Sequence, residues 1–161
     1  MKPAPTPPNN GVPVPLALGS DDSYPFDYCE NVHGFPQPIR VLAVNRNPIL
    51  REGLCIFIEM QPGLELVAST ATPEMALSIF DEQRPDLTLM DLDLPSDSGV
   101  DAILRIRTID PSAWVIALVT HDWDEAGARA VKAGASAVIP KDLISEMLLP
   151  LILSHRESAA V

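Results

Sequence analysis

From Ile39 onward the apolar positions follow two alternating rhythms. "IRVLAV", "LELVAST", "DLTLMD", "AWVIALVT" and "SAVIP" are short apolar runs of strand length. The segments between them follow the 3.6-residue period of a helix with one buried face. "PILREGLCIFIEM" puts Leu50, Leu54, Phe57 and Ile58 on one side, with Pro48 in the first turn, where its missing N–H costs nothing. "TPEMALSIFDEQ" opens with Thr72 as a cap, Pro73 next and Glu74 behind it. "VDAILRIRTI", the alanine-rich "DEAGARAVKAGA" and "DLISEMLLPLIL" complete the set. Five strands alternating with five helices predict a parallel sheet covered on both faces. In such a sheet, ligands bind outside the carboxyl ends of the strands.

Before residue 38 the pattern is lost. That stretch holds eight of the 17 prolines and no periodic apolar positions. Residues 1–37 are therefore expected to form a proline-rich arm, residues 38–155 the folded domain and 156–161 a short tail. The arm's "YPFDYCENVHGF" carries four of the eight aromatic residues, so it reads either as a solvated segment or as one that docks. Cys29 and His33 are too few ligands to make a metal site there.

Charge narrows the function. A net charge of -11 disfavours a nucleic-acid-binding surface, which needs clustered Lys and Arg. Two cysteines, Cys29 and Cys55, make no disulfide framework and fit a cytoplasmic protein. No apolar run reaches the length of a membrane span, and "MKPAPTPPNN" lacks the apolar core of a signal peptide.

At the strand ends the sequence offers Asn45, Arg46 and Asn47 after the first strand and Asp91 and Asp93 after the third. Val119 and Thr120 close the fourth, and Lys141 follows the fifth. An acid at a strand end is usually only the start of a loop; its neighbours give Asp91 its interest.

"IRVLAVNRNPILREGL", "RPDLTLMDLDLPSDSGVDAI", "VIALVTHDWDE" and "VKAGASAVIPKD" together resemble the receiver domain of two-component response regulators, of the subclass usually joined to a helix-turn-helix DNA-binding domain. The resemblance implies a flavodoxin-like (βα)5 fold, a three-layer α/β sandwich around a five-stranded parallel sheet. It implies that Asp91 is the acceptor of a phosphoryl group from a histidine kinase and that Lys141 pairs with the phosphoryl oxygens. Leu94, Pro95 and Gly99 match the loop after the acceptor.

Other positions depart from the family. Receivers hold Mg²⁺ with an acidic pair after the first strand, where this chain has Asn45 and Arg46. The hydroxyl residue ending the fourth strand is matched to Val119, with Thr120 one position on and expected to point elsewhere. The aromatic residue of the fifth strand is replaced by Val138, and Asp93 is expected to turn its side chain away. Phosphoryl transfer to a carboxylate depends on positioning and charge neutralisation, and Mg²⁺ favours carboxylate oxygens. No resident cofactor is therefore expected, and Mg²⁺ is expected to bind weakly or not at all. Arg46 could replace the ion by pairing with Asp91 beside Lys141, or could face solvent next to a decayed site.

Three readings follow. The first is an atypical receiver, not an enzyme, that signals by binding partner proteins without phosphorylation. The alternative is a single-domain response regulator phosphorylated on Asp91 by a histidine kinase. The third, a flavodoxin-like enzyme or nucleotide binder, is disfavoured because no glycine-rich phosphate loop follows the first strand. The chain stops soon after the fifth helix, so no appended DNA-binding domain is expected. Leu149 and Leu153 add apolar surface to that helix, which a homodimer through the fourth and fifth helices or the arm could cover. Pro150 is expected to kink the helix or move its boundary. His121, Trp114 and Trp123 are expected to be structural.

Overall fold

The computed structural model describes residues 37–120 and 125–159. The proline-rich arm up to residue 36, with Cys29 and His33, lies outside the described residues, as do His121 and Trp123. Strands β1 (Ile39–Val44), β2 (Leu64–Thr70), β3 (Leu87–Asp91), β4 (Trp114–Val119) and β5 (Ala137–Pro140) form one sheet in the order β2-β1-β3-β4-β5. Every pairing is parallel. Helices α1 (Pro48–Glu59), α2 (Pro73–Gln83), α3 (Ser98–Ile109), α4 (Glu125–Ala133) and α5 (Ile144–Ala159) alternate with the strands. This is the expected flavodoxin-like order, which reverses between β1 and β3 and opens a crevice there.

Alternation along the strands separates two apolar layers. Leu42, Val44, Met90, Val115, Ala117, Val119 and Val138 face one layer, with Phe80 of α2 and Ile103 and Ile106 of α3. Val41, Ala43, Leu87, Leu89, Ile116, Leu118 and Ile139 face the other, with Leu54 and Ile58 of α1 and Ile144, Leu148 and Ile152 of α5. Each fully buried Leu or Ile contributes about 1.5–3 kcal/mol relative to an exposed position, so these two layers hold the strand ends in place.

Local signals set the helix starts. Asn47 caps α1: its side chain accepts from the N–H groups of Ile49 at 2.9 Å and Leu50 at 3.3 Å, with Pro48 in the first turn. Thr72 caps α2 by accepting from Met75 N–H. At the far end of α4, Gly134 adopts φ +113°, and Ala135 N–H donates to Ala130 O at 2.9 Å, closing the helix.

The end of the chain differs from expectation. Pro150 lies inside α5 without ending it, on an exposed face, while Ile144, Leu148 and Ile152 stay buried. A proline in a helix interior costs about 3 kcal/mol, and packing of that apolar stripe offsets it. The helix also continues to Ala159, so residues 156–159, read as a tail, form its last turn. Leu153 is exposed, whereas Leu149 is partly buried. Trp114 stacks on His155 at a centroid distance of 3.8 Å, fastening the last turns of α5 to the start of β4.

Candidate functional site

The crevice is built from the ends of β1, β3, β4 and β5. Val44 pairs with Met90, so Asn45 lies beside Asp91 in the next register position. Leu118 pairs with Asp91. A concavity of about 510 Å³ opens over these ends, lined by Arg46, Asp91, Asp93, Thr120 and Lys141 together with the start of α1.

Asp91 is nearly sealed, with a side chain only 2% exposed, and it is held from two directions. Lys141 Nζ lies 2.7 Å from Asp91 Oδ1, and the backbone N–H of Asp93 donates to the same oxygen at 2.9 Å. Lys141 also reaches Asp93 Oδ2, at 2.5 Å. Burial pulls the Lys141 ammonium toward its neutral form, but the hydrogen bonds to Asp91 and Asp93 and their negative charges outweigh this and raise its pKa above 10.5. One ammonium therefore satisfies two carboxylates.

Thr120 corrects the expectation drawn from alternation. Its hydroxyl donates to Asp93 Oδ2, and it lines the concavity. Val119 is the residue turned away: it is buried in the layer opposite to Asp91. The reason lies in the register. Leu118 sits across from Asp91 and on the same face, so the position two residues on, Thr120, returns to that face. The hydroxyl that the resemblance asks for is thus present one residue later than matched. Val138 is buried in the same layer as Val119.

Asp93 is the second correction. It was expected to point away, yet its carboxylate meets both Thr120 and Lys141. The sharp turn made by its N–H bonding back to Asp91 Oδ1 brings its side chain over the pocket.

For Arg46 the sequence left two alternatives, and the structure shows the exposed one. It makes no ion pair among the described residues, and the Arg46–Asp91 pair is not formed. Its exposed side chain instead lines two concavities, this one and a neighbour of about 460 Å³ formed with Thr72, Pro73, Leu94 and Pro95. The turn is tied down by other groups. Asn45 Oδ1 accepts from Asn47 N–H at 2.9 Å, and Arg51 Nη1 donates to Asn45 O at 2.8 Å. Asn45 itself is fully buried, and its Nδ2 has no hydrogen-bond partner among the described residues.

Gly99 is fixed by crowding. A Cβ there would lie 2.5 Å from the backbone oxygen of Asp91, because the first turn of α3 presses directly on the end of β3.

These donors do not match the oxygen-rich shell that Mg²⁺ requires. An amide and a guanidinium stand after β1, and the two nearby carboxylates share Lys141. Among the described residues, no group of three or more His, Cys, Asp and Glu is placed to hold a metal ion. None of the described helices is long and apolar enough to cross a membrane.

Residues 41–152 match the sequence model of the response regulator receiver domain. An uncharacterised transcriptional regulatory protein of Bacillus subtilis, YhcZ, is 32% identical over 111 residues, covering 69% of this chain and 52% of that protein. The transcriptional regulatory protein MctR of Rhizobium johnstonii is 32% identical over 114 residues, covering 71% of this chain and 53% of that protein. The chain thus spans about half the length of these curated relatives. A crystal structure of a LuxR-family two-component response regulator from Aurantimonas aligns with a TM-score of 0.68 at 32% identity, over 73% of this chain and 84% of that one. The receiver domain of a NarL regulator from Mycobacterium tuberculosis shares the fold, with a TM-score of 0.69 at 21% identity, over 76% of this chain and 98% of that one. With the crevice built from the ends of β1, β3, β4 and β5, the chain belongs to the response regulator receiver domain family.

Proposed function

We propose that this receiver works in two-component signal transduction as a protein-interaction module whose acid pocket is closed by its own side chains, without a resident metal and without a reaction of its own. The observation that carries this reading is the clamp of Lys141 on Asp91 and Asp93, opposite a β1 end that supplies an amide and a cation in place of acids. A guanidinium in the mouth of the pocket opposes a divalent ion. Two charges a few ångströms apart at an effective dielectric of about 20 interact by several kcal/mol. Signalling proteins are the partners this reading requires, and a histidine kinase is one candidate among them. Leu153 and the partly buried Leu149 of α5 mark one surface for a second copy or another protein. The acidic charge disfavours direct contact with nucleic acid.

A specific observation supports a second reading. Asp91, Thr120 and Lys141 converge on one crevice, which is the arrangement a phosphorylated Asp91 would need. Incubation with a small phosphodonor and millimolar Mg²⁺, followed by intact-mass measurement, separates the two. The interaction-module reading expects no adduct. A gain of about 80 Da that is lost in Asp91→Asn would establish the phospho-switch instead.

A further inference from the structure

The Asp93 carboxylate occupies a position that an added anion would seek. Two donors from different strand ends meet on its Oδ2: the Thr120 hydroxyl after β4 and the Lys141 ammonium after β5. The carboxylate is 48% exposed on the open side of the crevice, whereas Asp91 beneath it is sealed. An exposed acid gains little from a single surface ion pair, because water competes for it. Here, however, one oxygen collects a hydroxyl and an ammonium that is itself largely buried, which makes the contact stronger than a surface pair. A third donor, the buried Asn45 Nδ2, has no hydrogen-bond partner among the described residues and sits beside Asp91 in the register. A fourth, the Arg46 guanidinium, lines the same concavity without an ion partner among the described residues.

We infer that Asp93 is a tethered counter-anion, an autoinhibitory contact that fills the oxyanion position between Thr120 and Lys141. The ligand class it excludes is a tetrahedral oxyanion of the phosphate type. Such a group presents several strong acceptor oxygens to the same hydroxyl and ammonium, with Arg46 at the rim. The tether also joins three loops through one side chain, since Asp93 follows β3, Thr120 follows β4 and Lys141 follows β5. Displacing Asp93 releases Thr120 and leaves Lys141 to Asp91 alone.

This inference rests on the receiver pocket described above, and its test is chosen to fail separately from the metal-free reading. Inorganic phosphate is titrated into the full chain and into Asp93→Ala and Asp93→Asn, in chelator-treated buffer without Mg²⁺, while the amide resonances of Thr120 and Lys141 are followed. Asp93→Asn keeps the shape and one acceptor oxygen, while it removes the charge and turns the other oxygen into an NH2 donor. Both variants are expected to show saturable shifts, with an apparent affinity at least about ten-fold above that of the natural chain. Equal binding by all three proteins overturns the tether, and so does the absence of binding in all three. Saturable Mg²⁺ binding by the natural chain in a parallel titration would contradict the metal-free pocket and leave the result on Asp93 standing.

Discussion

The two halves of the crevice solve the same electrostatic problem differently. At the ends of β3, β4 and β5, Asp91, Asp93, Thr120 and Lys141 share one network, and each charge has an opposite charge within 2.7 Å. At the end of β1, Asn45 and Arg46 take no part in it. Asn45 spends its oxygen on the turn, and Arg46 extends over the mouth of the pocket. The first half is satisfied from within. The second carries an amide and a guanidinium in place of the acidic pair that the resemblance to receivers leads one to expect. The contrast is between three strand ends tied together by shared side chains and a fourth whose polar groups hold only their own turn.

The largest test of the contrast is Lys141→Met. It strips the cation from a carboxylate that is only 2% exposed. Breaking a buried pair costs about 3–5 kcal/mol, and since Lys141 and Asp93 are partly solvated we expect about 2–3 kcal/mol by chemical denaturation. The pH dependence has a definite sign. The folded-state pKa of Lys141 lies above its ordinary value of 10.5, so its stabilising contribution is complete below pH 10.5 and is lost as pH rises through the folded value. On the alkaline side, the natural chain should keep its advantage over Lys141→Met until pH rises into that range. An advantage already gone at neutral pH would mean that the clamp contributes nothing.

Gly99→Ala acts on the same half through the backbone. The new methyl meets the Asp91 carbonyl at 2.5 Å, and the rigid end of β3 cannot yield cheaply. A loss of about 2 kcal/mol is expected, with a shifted Asp93 amide resonance as the local sign. On the β1 side, Asn47→Ala removes the α1 cap and should cost about 1 kcal/mol while leaving the Asp91 and Lys141 resonances in place. The smallest effect belongs to Arg46→Ala. With no ion pair among the described residues to lose, its stability should stay within about 0.5 kcal/mol of the natural chain. A larger loss would show that Arg46 is held in solution by a partner that the structure does not give it.

The fold was legible in the sequence because short apolar runs and segments of 3.6-residue period alternate cleanly from Ile39 onward, and because Thr72 and Pro48 mark helix starts. Asp91 and Lys141 were legible individually as polar residues at strand ends, and as partners only through the resemblance to receiver domains. Thr120 was not. Counting from Val119 assigns the wrong face, and only the pairing of Leu118 with Asp91 reveals which residue of β4 shares the acceptor's side. Asp93 was hidden because it lies beyond the strand, where a side-chain-to-backbone turn and not alternation sets direction. For Arg46, the "NRNP" turn does not disclose which polar residue bends inward. Asn45 and Asn47 take up the backbone donors, which leaves Arg46 facing out.

A Mg²⁺ titration followed by amide NMR, with Asn45→Asp/Arg46→Asp as the comparison, tests most directly the proposal that this pocket works without a metal. The natural chain should show no saturable shift at Asp91 or Asp93 up to millimolar Mg²⁺, and the double variant, with its acids restored, should saturate. Saturable shifts at Asp91 in the natural chain, matching those of the double variant, would contradict the account.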